Sequence, residues 1–273
     1  MKIFKRKHLV HYLPIVGCVA TGITYVGIGV IALLSFFQIR DGGADESSML
    51  VVLNDFLLGK ILIVIILTGT ACYIVWRFYE AFNDPYQYGS DFKGVAKRVG
   101  IALSTVADML IVYAAVRVLL GTANISANGQ PVEERAMTKA MLDDGKGWII
   151  ITIGCVMLAT AFIQLLYGGT KGYKERVNDH YLNPALRKVF HGLGLTGYAA
   201  RGIILAITGF FFLKAGISND ANVVVNTDKA FDFVGDHIGH IFFILLAVGT
   251  ICYGFFMFGL GITYKAGKQP RRR

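Results

Sequence analysis

Two ionisable residues sit where charge is expensive. Asp108 and Arg201 each lie inside a long apolar stretch, and a lone charge at the centre of a bilayer costs about 2.5–3.5 kcal/mol on insertion scales. Asp108 is ten residues beyond Arg98, and Arg201 ten beyond His191. At 1.5 Å per residue, each therefore sits roughly 15 Å along its helix. Equal depth on helices running the same way predicts an intramembrane Asp108–Arg201 pair. Its chemistry would be a structural lock between helices or a station on a proton or ion route. The polar neighbours for such a route are Thr21, Ser104, Thr105 and Thr208, which is thin for a continuous path.

A second constellation is D-x-x-x-D-H-x-x-H, formed by Asp232, Asp236, His237 and His240. On one helix the i, i+3 imidazoles would share a face and, with Asp236, could hold a metal. The glutamate and i+4 spacing of a zinc-protease helix are absent. Interfacial composition explains the pair more simply, as it does His8 and His11. No P-loop, dinucleotide fingerprint, G-x-S-x-G or H-E-x-x-H occurs, and no nucleophile has a visible base. The sequence indicates neither an enzyme nor a cofactor. Asn124-Ile125-Ser126 is a glycosylation sequon by letters only.

The elements that must position these residues are membrane spans. The chain is 55% hydrophobic and only 16% charged, against about 25% charged in soluble domains. Six apolar runs, near 13–37, 57–78, 99–120, 148–167, 193–214 and 238–262, reach the ~20 residues needed to cross a hydrocarbon core. Backbone groups must be satisfied internally in lipid, so each run should be a helix. The cysteines Cys18, Cys72, Cys155 and Cys252 all fall inside these runs without paired spacing, as buried small hydrophobes do.

A net charge of +9 could point to nucleic acid, but the charges lie between the apolar runs. Eighteen of the 27 Lys and Arg residues fall on one side: the N-terminus, the second–third loop, the fourth–fifth loop and the C-terminus, with Lys265, Lys268, Arg271, Arg272 and Arg273 last. The positive-inside rule makes that side cytoplasmic, with both termini there. Arg117 and Lys60 lie near span ends and can snorkel. Twelve of the 18 acids, among them Asp45, Glu46, Glu134 and Asp228, lie on the outer side, where an ordinary solvated surface accounts for them.

A shift of 180 residues aligns the first hairpin with the last: His11, Gly17, Ala20 and Gly22 meet His191, Gly197, Ala200 and Gly202, and Gly69-Thr70-x-Cys72-Tyr73 meets Gly249-Thr250-x-Cys252-Tyr253. A more diverged middle hairpin gives three repeats, about 11–85, 97–170 and 191–265, within a single membrane domain spanning 1–273. Each repeat has two spans, so all share one orientation, around a pseudo-threefold axis along the membrane normal. The segments Ser47–Leu58, Val132–Asp144 and Thr227–Asp236 read as short amphipathic helices on the outer interface. Small residues on the odd-numbered spans place those spans inside and the even ones outside.

The Gly-x-x-Gly-Tyr-Ala-Ala-Arg-Gly stretch at 194–202, the Gly-x-x-Cys-Tyr pattern and the Trp76-Arg77 step resemble an uncharacterised bacterial membrane family, catalogued as domain of unknown function twelve-oh-six. The resemblance implies three two-span repeats in a bacterial cytoplasmic membrane and brings no activity. Asp108 departs from it, standing where the other repeats hold Gly22 and Gly202. Mitochondrial carriers also have three two-span repeats, but their P-x-[DE]-x-x-[KR] motif is absent: Pro131 has Glu133 but Ala136 in the basic position.

Two functions fit. The first is a non-catalytic accessory, assembly or scaffold component of the membrane, partnered by another membrane protein or a second copy and by no nucleic acid. The second is a small solute or ion transporter or channel with Asp108 and Arg201 in its path. A packed apolar centre would exclude the second, and a wet centre lined by those residues would favour it.

Overall fold

The computed structural model describes residues 2–39, 43–122, 129–177 and 183–264; the side chains of 2–11 and of several positions within α4 and the 172–176 turn are not described. The C-terminal basic cluster, the side chains of His8 and His11, and the Asn124 triplet lie outside the described residues.

Nine α-helices are described: α1 (Lys2–Phe36), α2 (Glu46–Asn54), α3 (Leu57–Asn83), α4 (Phe92–Leu119), α5 (Val132–Asp143), α6 (Gly147–Gly169), α7 (Pro184–Ser218), α8 (Thr227–His237) and α9 (His240–Thr263). Five of them, α1, α3, α6, α7 and α9, are long and apolar enough to cross a membrane. α4 has the length of a span at 28 residues but is not among the five.

The ends of these helices follow local chemistry. Asn183 caps α7 by accepting from the Leu186 amide at 2.8 Å, ahead of Pro184, whose missing N–H is harmless in the first turn. α3 stops at Asp84, in the left-handed region at φ 45°, and α7 stops at Asn219 with φ 54°. The short helices expected before each second span are present as α2, α5 and α8. α2 is shorter than the 47–58 reading, because the chain breaks after Asn54 before α3 starts at Leu57. α2 and α8 are also sunk into the fold, with Met49, Leu50, Phe231 and Val234 buried.

The long helices pack in series in the order α6, α7, α9, α1, α3 and α4. Each of these contacts joins an odd-numbered span of the sequence reading to an even one. The expectation of odd spans inside and even outside is therefore not met: α9 is as buried as α1. The glycines explain why. They face their neighbours rather than a common centre. On α7, Gly202, Gly209 and Gly216 lie seven residues apart and press on α6, where a Cβ at Gly209 would come 3.1 Å from the Leu158 nitrogen. Seven residues are nearly two helical turns, so one stripe stays on one face, and its smallness lets backbones approach where lipid supplies no hydrophobic drive.

The 180-residue repeat is visible in this packing. A Cβ at Gly69 would meet Ala20 Cβ at 2.5 Å, and one at Gly249 would meet Ala200 Cβ at 2.7 Å. Likewise Gly17 faces Tyr73 and Gly197 faces Tyr253. Equivalent residues make equivalent contacts in the first and last hairpins.

Candidate functional site: a charged interior closed at two ends

Arg201 points between helices. Its Nη1 donates to the Tyr253 hydroxyl at 2.6 Å, and the guanidinium lies 5.0 Å from the Tyr25 ring centroid and 5.1 Å from that of Tyr253. Those two rings meet edge to face at 4.9 Å. One cation from α7 thus joins α1 and α9. Asp108 on α4 faces the same interior, within electrostatic reach of both Arg201 and Arg77. Arg77 lies 5.3 Å over the Tyr73 ring.

Asp108 and Arg201 do share an interior, but no direct ion pair between them is among the contacts of the described residues; the tyrosines are the immediate partners of Arg201. Asp108, Arg77 and Arg201 are each half-buried. Tyr253→Phe is expected to remove the Arg201 hydrogen bond while keeping the ring contact. Loss of a bond to a charged group costs about 1.5 kcal/mol at the low end of its range, readable as lowered stability to unfolding in mild detergent.

One end of this interior is closed by a polar latch. Glu80, near the end of α3, is 0% exposed, and its Oε1 takes an ion pair from Arg176 Nη2 at 2.6 Å. Tyr88 donates its hydroxyl to the same oxygen at 3.3 Å. Arg176 lies in a single turn of 3-10 helix, Gly172–Arg176, that follows α6. The Tyr264 hydroxyl, just past α9, accepts from Trp76 Nε1 at 2.9 Å and is 3.3 Å from that of Tyr86. An isolated antiparallel bridge joins Val177 to Tyr264. Residues following α3, α6 and α9 are thereby tied together. In the sequence, Arg176 bears only on orientation, and Arg77 on orientation and on the Trp76-Arg77 step. Glu80, an acid on the basic side within an apolar helix, was the legible signal for this latch.

The other end is closed by the segments before α3, α6 and α9. Asp228 Oδ1 accepts from the Ala44 amide at 2.7 Å. Asn226 Nδ2 donates to the Gly129 carbonyl at 3.1 Å, and Thr227 Oγ1 to Glu46 Oε2 at 3.2 Å. Gly129, at φ +75°, has no room for a side chain, since a Cβ there would run into the Asp228 carboxylate. Two acids of this end are not the solvated surface expected of them, Asp45 at 3% and Asp228 at 8% exposed, whereas Asp55, Asp143, Asp144 and Asp236 are exposed as expected. Burial pushes the Asp228 carboxyl up to about 6 against the pull of the Ala44 N–H, with Asp232 and Asp45 raising it further and Lys229 opposing. Burial likewise raises Asp45, Glu46 and Glu134.

The histidine constellation does not assemble. α8 ends at His237 and α9 begins at His240, with Gly239 at φ +128° between them. The i, i+3 geometry of one helix is lost. His237 stacks on Phe233 at 4.5 Å and its Nδ1 faces the Phe233 carbonyl, while His240 sits edge-on to Phe36. No group of three metal-ligating side chains, with Asp236 or otherwise, occurs among the described residues. Arg117, expected to snorkel, pairs with Glu133 and donates to the Thr122 carbonyl at 2.6 Å; Lys60 is exposed.

Five apolar helices of spanning length around a set of ionisable side chains define a polytopic membrane protein. The chain belongs to the family described as Domain of Unknown Function (DUF1206), whose profile matches residues 16–84 and 196–263. The two matches begin 180 residues apart, the shift that superposes the first and last hairpins. An uncharacterized protein of Bacillus subtilis (strain 168), YxxB, is 23% identical over 247 residues, covering 90% of this chain and 88% of that protein. No solved structure matches the chain.

Proposed function

We propose that the protein is a small solute or ion transporter or channel of the bacterial cytoplasmic membrane, with α4 as a sixth span and three hairpins around a pseudo-threefold axis. The basic latch end faces the cytoplasm, as the positive-inside rule requires, and the acidic end faces outward. The observation that carries the reading is the half-buried set Asp108, Arg77 and Arg201, facing one interior between two closed ends. Ionised groups among spans are costly and mark pathways.

The test is water access. In a background lacking the four native cysteines, Asp108→Cys and Thr21→Cys, the latter at the repeat position equivalent to Arg201, should react with a charged thiosulfonate reagent in membranes. Val64→Cys, on the exposed apolar surface of α3, should not. Protection of both interior positions would return the protein to the scaffold reading.

A further inference from the structure

We infer that the carboxylate knot at the acidic end is a proton-operated gate: the knot takes up solvent protons as it closes and releases them as it opens. The inference rests on the pathway reading. Three segments, one from each repeat, must meet for this end to shut. They are Ala44–Glu46, Gly129–Arg135 and Val224–Asp228, joined by the contacts already described and by Arg135 Nε donating to the Val224 carbonyl at 3.3 Å.

The charges there are unbalanced. Asp228 faces Lys229, whose Nζ is 3.5 Å away, and Asp232 from its own helix α8. It faces Asp45 from the segment capping α2. Glu46 on α2 and Glu134 on α5 interact with Asp45, and Glu133 adds to Glu134 although it is paired with Arg117. Beneath them, Arg201 on α7 faces Glu46. Lys229 is shared between Asp228 and Asp232. Carboxylates outnumber the cations that could neutralise them.

A second observation points to the proton itself. Asp45 Oδ2 accepts the Ser47 and Ser48 amides, each at 3.1 Å, and the Ser48 side chain opposes protonation, but Oδ1 is buried with no hydrogen-bond partner among the described residues. A buried carboxylate oxygen without a donor is a poor place for negative charge. Protonation turns the carboxylate into a neutral carboxyl group, and the proton comes from the solvent on that side.

The sign follows from linkage. With the segments apart, these groups meet water and titrate in the ordinary range near 4. In the closed knot they hold their protons to higher pH, about 6 for Asp228. Closure is therefore favoured at low pH and weakens as pH rises through about 6. A solute entering from this end would be enclosed with a proton.

Amide exchange across 44–54 in the purified full chain reads the knot directly, since the Ala44 N–H is bonded to Asp228. After correction for intrinsic rates, protection of this segment should fall by about tenfold between pH 5 and pH 8, because two pKa units are worth about a hundredfold in all and the first tenfold is already lost between pH 4 and pH 5. The α6–α7 contact should not change. Asp228→Asn, which keeps the Oδ1 acceptor, should remove most of the dependence, and Asp45→Asn part of it. Unchanged protection in the wild-type chain over that range overturns the gate without any variant needing to fold. So does an undiminished pH dependence in Asp228→Asn. Because this readout needs no water path through the centre, a sealed interior with a pH-sensitive knot would sink the pathway and leave the knot's titration standing.

Discussion

Glu80→Ala is expected to destabilise the protein by about 3–5 kcal/mol, the range for stripping one partner from a buried ion pair. Glu80 is wholly buried, and its carboxylate supplies the ion pair seen for Arg176 among the described residues. Removing it leaves a guanidinium enclosed by aromatic rings, 5.8 Å from the Tyr86 centroid. The loss should appear in equilibrium unfolding in mild detergent. Glu80→Gln should fall between wild type and alanine, because it keeps the shape and an acceptor but not the charge. The double change Glu80→Leu with Arg176→Met should recover much of the stability, since replacing both ions by apolar groups is often neutral. A double variant as unstable as Glu80→Ala would mean that packing, not unpaired charge, sets the cost. If the pathway reading is right, the double variant should also leak, because the latch closes one end.

The second large effect is steric. A Cβ at Gly197 would lie 2.5 Å from the Tyr253 Cα and 2.8 Å from its nitrogen. Backbone atoms of a packed helix cannot swing aside, so Gly197→Ala must push α7 from α9, at a cost of about 2–3 kcal/mol. The displacement would also separate Arg201 from the Tyr253 hydroxyl, one turn further along α7. Gly192→Ala is the control: it lies on the same helix with nothing within 4 Å of the new atom. There the change should be neutral or stabilising by up to about 1 kcal/mol, because alanine is the better helix former. Equal losses at both positions would remove the close-approach argument.

The sequence showed those parts of the architecture that single segments encode. Apolar length predicts spans, and α1, α3, α6, α7 and α9 lie where it places them. The matched glycines predicted the repeat, and equivalent glycines make equivalent contacts in the first and last hairpins. α2, α5 and α8 were legible from the polar-apolar segments before the second spans, but their burial was not, since the partners of Asp228 lie at Ala44 and Gly129 in other repeats. Glu80 stands out as an acid on the basic side, but its partner Arg176 is 96 residues away, and no local pattern identifies that partner. The histidines misled because a helix was assumed to continue through Gly239. Arg201 was legible as a charge within an apolar stretch, but the tyrosines that hold it are common in interfacial belts and gave no distinctive signal.

The packing order also says something about how the chain is made. α6 and α7 are neighbours in sequence and in space, and so are α3 and α4; α1 instead rests on α9. α1 therefore waits for α9, a helix made much later, held meanwhile by α3. Contacts of such long sequence separation form slowly. The docking of α9 between α7 and α1 is then a late event, and it also brings Tyr264 to Trp76. Until α9 is made, the glycine-rich face of α1 that it covers has only lipid or a chaperone against it.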